Sequence, residues 1–146
     1  MEWLIKSFEE LTINELYQLL QIRQEVFVVE QHCPYLDADG LDKDAIHLLG
    51  FDNNILIAYC RIVFPAIKYT EPSIGRVVVI FSSRNTGLGY ELMKRAILVS
   101  QKLFPNQKNR ISAQSHLQHF YENCGFKRVS DVYDEDGIPH IEMVLM

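Results

Sequence analysis

Between Gly75 and Lys94 the sequence reads Gly-Arg-Val-Val-Val-Ile-Phe-Ser-Ser-Arg-Asn-Thr-Gly-Leu-Gly-Tyr-Glu-Leu-Met-Lys, and this stretch restricts the fold more than any other. Val77 to Phe81 is an unbroken β-branched and aromatic run, the pattern of a strand covered on both faces. From Leu88 the apolar residues recur at Leu88, Leu92, Ala96 and Val99, with Met93 and Ile97 beside them, which is helical spacing. Between strand and helix stand Arg84, Gly87 and Gly89. Glycine lets backbone N–H groups approach an anion closely, and the first turn of a helix carries N–H groups that have no intrahelical partner. Strand, glycine turn and helix in that order predict a phosphate cradle.

Spacing narrows the ligand. A Walker A loop ends in Gly-Lys-Ser/Thr, which is absent. A dinucleotide fingerprint needs a third glycine where Leu92 stands, and an acidic residue about 20 positions on that is also missing. What remains is Arg84-x-x-Gly87-x-Gly89 after a valine-rich strand.

The flanking sequence supplies the other elements. Trp3–Phe8 reads as a first strand. Thr12 and Glu15 form a capping box for a helix running to about Gln31, whose late charges Arg23 and Glu30 read as a solvated face. The segment His32–Asp44 is a polar connection carrying Asp37, Asp39, Asp42 and Asp44. It lacks the glycine position and terminal glutamate of a calcium loop, so its acids read as turn formers or as an acidic rim that attracts amines. Ala45–Phe51 and Ile55–Val63 are strands joined by a hairpin at Asp52-Asn53-Asn54. The helix after Gly89 ends near Phe104 with Pro105 as its stop. Arg110–Gln114 is a strand, His116–Asn123 a short helix closed by Gly125, and 126–133 and 139–146 are terminal strands.

The order β, α, β, β, β, α, β, α, β, β has no repeat or linker and predicts a single domain over residues 1–146. It predicts an α/β (mixed α+β) fold: one mixed, mostly antiparallel sheet of about seven strands, with helices on both faces. With 48% hydrophobic residues and 23% charged ones, the chain is suited to a packed core. Three cysteines without CxxC spacing fit reduced thiols, and no metal site is expected. No apolar run approaches a membrane span and no signal pattern opens the chain, so a cytoplasmic protein with no membrane partner is expected. A net charge of −5 argues against nucleic acid and favours a cationic small substrate.

A second motif runs from Gln114 through His116-Leu117-Gln118-His119-Phe120-Tyr121 to Gly125-Phe126. Together with Arg84-x-x-Gly87-x-Gly89 it resembles the GCN5-related N-acetyltransferases, the GNAT family. The segments Arg23–Gly40 and Tyr133–Ile141 are similar to its ElaA-type branch, and the resemblance covers nearly the whole chain. A second N-terminal helix of that fold is expected around Gln31–Pro34. Where the family usually has asparagine, this chain has Gln114.

The resemblance implies acetyl-CoA as donor and an amine as acceptor. It places the cofactor contacts on Val77, Val79, Arg84, Asn85, Thr86, Gly87, Leu88, Gly89, Gln114 and Tyr121. It makes Tyr121 the acid for the departing thiolate and aligns Val79 with the oxyanion donor. A base must also deprotonate the amine; Glu30 and His116 are the candidates, with His47 and His140 as substrate contacts. The alternative is a catalytically silent CoA-binding or regulatory module on the same fold. The acceptor and the oligomeric state are left open, a homodimer included.

Overall fold

A computed structural model describes residues 1–146. Eight strands fall into two four-stranded groups in which every ladder is antiparallel. The first group runs β1 (Glu2–Ser7), β2 (Ala45–Asp52), β3 (Ile55–Val63) and β4 (Ser73–Val79) in spatial order. In the second, β8 (Ile138–Leu145) lies between β5 (Asn109–Gln114) on one side and β6 (Lys127–Arg128) and β7 (Tyr133–Glu135) on the other. The sequence suggested one strand over 126–133. Only Lys127–Arg128 and Tyr133–Glu135 are strand: Val129 N–H still donates to the Glu142 carbonyl at 2.9 Å, but at Ser130 the side chain replaces the backbone, its Oγ accepting from Glu142 N–H at 2.8 Å.

Period-2 alternation in the central strands explains why helices cover both faces. Leu48, Ala58, Cys60 and Ile62 point to one side, where they meet Leu92, Met93 and Ala96 of α2 (Leu88–Leu103) and Tyr121 of α3 (Gln118–Asn123). Leu49, Phe51 and Tyr59 point to the other and pack on Leu19 and Ile22 of α1 (Ile13–Arg23). No helix is long and apolar enough to cross a membrane.

The Thr12–Glu15 capping box forms in both directions, with Glu15 N–H donating to Thr12 Oγ1 at 3.1 Å and Thr12 N–H to Glu15 Oε1 at 2.9 Å. The hairpin after β2 has Asn53 and Asn54 both at positive φ, as a two-residue turn between right-twisted strands requires. Gly50 is required for another reason: a Cβ there would lie 2.7 Å from the Trp3 ring.

Two local departures from the expected pattern shape the functional region. From Gln24 to Glu30 the first helix widens into a π-helix, across the run Val26-Phe27-Val28-Val29, whose β-branched members are weak α-formers. Gln31 to Pro34 is then a turn rather than the expected second helix, with His32 at φ +52. In β4 the register jumps: Gly75 faces Arg61 and Val78 faces Tyr59, so Arg76 and Val77 stand against Cys60 alone. That is a bulge, and Arg76 takes φ +49 within it. The strand stops at Val79 instead of running to Phe81. Phe81 is 79% exposed in a short 3₁₀ turn, so the apolar run is not buried to its end.

Candidate active site

β4 and β5 enter side by side and then part. At the start, Arg110 N–H donates to the Pro72 carbonyl at 3.1 Å, and Ile74 N–H to Asn109 Oδ1 at 3.1 Å. Asn109 is itself held by Ser100 of α2 at 3.1 Å. No ladder joins the two strands beyond that point, and the sheet forks. A cavity of about 650 Å³ opens there, lined by Val77 to Val79 on one side and Ile111 to Gln114 on the other.

On one flank of the fork lies the glycine turn. Asn85 and Gly87 have φ of +62 and +83, and Thr86 Oγ1 donates to the Ser83 carbonyl at 2.7 Å. The first helical bond of α2 is Glu91 N–H to the Gly87 carbonyl at 3.1 Å, so the N–H groups of Leu88, Gly89 and Tyr90 have no partner within the helix. These groups and the macrodipole of a 16-residue helix suit an anion. Arg84 stands beside them, with Nε donating to the Val79 carbonyl at 2.9 Å and the guanidinium gripping both oxygens of Glu30.

That grip changes the standing of Glu30. The π-helix turns it toward the cradle, where it holds Arg84. An anion bound at the cradle would compete with Glu30 for the same arginine. Glu30→Gln is expected to tighten CoA binding several-fold by calorimetry and leave turnover intact. A collapse of kcat with unchanged affinity would instead identify Glu30 as the base. Gln114 is occupied in a similar way, its Nε2 donating to Gln31 Oε1 at 3.2 Å. His116 lines the cavity but is exposed.

Tyr121 lines the cavity from the α3 side, set edge-on against Phe120 at 5.0 Å and Phe126 at 6.0 Å. Burial, reinforced by the neighbouring Cys124 and Cys60 thiols, pushes its pKa well above the ordinary tyrosine value. It therefore keeps its proton at any working pH. All three cysteines are free.

The acidic connection does not form a rim for amines. Asp37, Asp39 and Asp42 are consumed by three arginines. Arg23 lies on the buried side of α1, not on a solvated face; its Nε donates to Asp37 Oδ2 and its Nη1 to Asp42 Oδ1, both at 2.7 Å. Arg61 reaches Asp42 at 2.9 Å and Asp39 at 2.5 Å and 2.8 Å. Arg76 pairs with Asp37 Oδ1 at 2.8 Å and Asp39 Oδ2 at 3.3 Å. The bulge residue with the unfavourable φ is thus held by two carboxylates, which offsets the ~1–2 kcal/mol that left-handed backbone costs. The hydrophobic pattern of α1 could not reveal this cluster, because Arg23 lies at its last position and its partners come from a loop.

His47 is not a substrate contact. It is fully buried; its Nε2 donates to the Asp42 carbonyl at 2.8 Å, and its Nδ1 accepts from the Tyr59 hydroxyl at 2.7 Å. Burial lowers its pKa, and it serves as a neutral strut under the loop. His140 does reach the cavity, on the face of the second sheet that also carries Ser112, Gln114 and Glu135.

The acetyltransferase (GNAT) domain profile matches residues 18–146. The ElaA protein of Escherichia coli is 43% identical over 145 residues, spanning 98% of this chain and 95% of that protein. Its crystal structure superposes with a TM-score of 0.94 at 42% identity, covering 99% of both chains. The crystal structure of an acyl-CoA N-acyltransferase from Pseudomonas aeruginosa does so with a TM-score of 0.94 at 44% identity, covering 100% of both. An aminoglycoside 6′-N-acetyltransferase complexed with coenzyme A superposes with a TM-score of 0.73 at 16% identity over 97% of this chain and 95% of that one, a likeness of fold alone.

Proposed function

This chain belongs to the GNAT acetyltransferase family, on its ElaA-type branch, and from that premise we propose that it moves an acetyl group from acetyl-CoA to a primary amine by direct attack in a ternary complex. The observation that carries this reading is the forked sheet, with an anion cradle on one flank and a polar cavity on the other. The two reactants can enter from opposite sides and meet between β4 and β5, which converts a bimolecular encounter into an oriented one.

In this reading Gly87 to Gly89 and Arg84 hold the pyrophosphate of CoA, after Glu30 yields. The thioester oxygen needs a backbone donor free of the sheet ladder. Val79, aligned with that role in the sequence, stands opposite Ala58 in a non-hydrogen-bonded pair: the adjacent Ile80 N–H makes the ladder bond to the Ile57 carbonyl at 3.0 Å, so the N–H and carbonyl of Val79 turn away from β3, the carbonyl toward Arg84. We therefore keep the oxyanion contact on the backbone N–H of Val79.

Tyr121 supplies a proton to the departing thiolate. Its raised pKa makes it a weak acid against a thiol of pKa about 8.5, so the benefit lies at the low end of the usual range for acid catalysis. Tyr121→Phe is expected to lower kcat by up to ~10²-fold with CoA affinity unchanged. Burial holds the phenol too high for its ionisation to produce an alkaline limb in the rate profile. Wild-type turnover in this variant, with chemistry rate-limiting, would return Tyr121 to a packing role.

The function is tested by incubating the protein with acetyl-CoA and polyamines, amino acids, aminoglycosides or peptide N-termini, and reading free thiol. Amine-dependent release is the expected result. Tight CoA binding without release for any amine would support a silent CoA-binding module instead.

A further inference from the structure

Inside the cavity two side chains face each other with a donor missing between them. His140 Nδ1 lies 2.7 Å from the Ile138 carbonyl oxygen, which can only accept, so Nδ1 carries a hydrogen. In the neutral ring that leaves a lone pair on Nε2. Yet Nε2 lies 3.3 Å from Glu135 Oε2, and an ionised carboxylate is also only an acceptor. An outside group that presents one hydrogen to each acceptor would satisfy both, and an alkylammonium is such a group.

Both groups are held in place. The His140 side chain is 9% exposed and stacks on Tyr133 at 6.3 Å with an interplanar angle of 28°. Glu135 Oε1 accepts from Ser112 Oγ at 3.0 Å, and Ser112 meets the Tyr133 hydroxyl at 2.5 Å. In the ladder His140 pairs with Gln114, at the open end of the fork. The pair therefore lies on the wall that the cradle does not use, and it shares the cavity with Tyr121 and Val79.

We propose that the acceptor is a primary alkylammonium seated between Glu135 and His140, with Glu135 receiving its charge and His140 Nε2 removing its proton. This rests on the N-acetyltransferase reading, and it takes the base role from Glu30, which lies on the cradle's flank beside Arg84, and from exposed His116. The ammonium gives one proton to Nε2 and its nitrogen then bonds to the acetyl carbon. The cationic adduct loses a second proton to water and the C–S bond breaks. The thiolate takes a proton from Tyr121, which regains one from solvent. One net proton is released per acetyl group transferred.

The test uses the full chain, labelled with ¹⁵N-histidine and saturated with CoA. Adding n-butylammonium should move the Nε2 resonance of His140, whereas tetramethylammonium, which has the same charge but no N–H, should not. Glu135→Gln, at a half-exposed side chain, should keep the fold and abolish the response. An equal response to both cations, or none to either, overturns the seat. In assays with an amine that the wild type acetylates, His140→Gln should lower kcat by ~10²–10⁴-fold with CoA affinity retained. Glu135→Gln should mainly raise the KM for the amine. Undiminished turnover in His140→Gln also overturns the proposal. A His140 response to butylammonium without thiol release from any amine would instead overturn the transfer reading and leave the ammonium seat standing.

Discussion

Valine at position 87 is expected to abolish CoA binding without unfolding the protein. Gly87 has φ +83 and ψ 0, and nothing lies within 4 Å of a Cβ built there. The obstacle is therefore the backbone and not space. A β-branched residue resists left-handed angles, and relief requires turning the peptide that aims the N–H groups of Leu88 and Gly89. Losing two hydrogen bonds to a charged pyrophosphate, at about 1.5–3 kcal/mol each, weakens binding by ~10²-fold or more. Gly89 is different. Its Cβ would meet the Phe120 ring at 3.4 Å, an ordinary contact, so Gly89→Ala should bind CoA nearly as the wild type does. Calorimetry on the two variants separates conformation from crowding. Wild-type affinity in Gly87→Val would remove the turn from the CoA site.

The second large effect concerns stability. Asp42 Oδ1 accepts from both Arg23 and Arg61, two guanidiniums that are almost wholly buried. Asp42→Asn leaves them short of one anion, and breaking a buried pair in this way costs about 3–5 kcal/mol. The cluster also sets an acid limit. Burial alone would raise the pKa of Asp39 and Asp42, but hydrogen bonds and charge from Arg61 and Arg23 outweigh it and hold both below the usual carboxylate value. The unfolded chain then binds more protons than the folded one as pH falls. The stability these groups confer is complete above the unfolded pKa of about 3.9 and disappears as pH falls through the lower folded values. Urea midpoints measured from pH 7 down to pH 3 should fall for the wild type. They should begin lower and fall less for Asp42→Asn. Equal midpoints at pH 7 would show that the cluster contributes nothing net.

The elements most open to sequence reading were those with a local cause. Thr12 and Glu15, Asn53 and Asn54, and Gly87 each announce a structure within a few residues, and each forms as expected. The mixed fold with helices on both faces follows from the order of elements and from alternation in Ile55–Val63. What escaped depends on distant partners. Arg23 looks like a surface charge until Asp37 and Asp42 fold over it. Glu30 gives no sign in the sequence of its ion pair with Arg84, 54 residues later. The bulge at Arg76 leaves no local trace, because the residue with positive φ is an arginine and not a glycine. His140 and Glu135 were separately visible, but only the tight turn Asp134–Gly137 sets one against the other.

The fork in the sheet has a mechanical consequence. β4 and β5 are tied only where they begin, through Pro72–Arg110 and Ile74–Asn109, and Asn109 is anchored on Ser100. From that pivot each arm runs five or six residues to the open end of the fork, roughly 17–20 Å at the usual strand rise. A small rotation at the pivot is magnified along such an arm. Asn109 does not line the cavity, yet it sits at the fulcrum of the two arms, and its amide ties that point to Ser100 of α2.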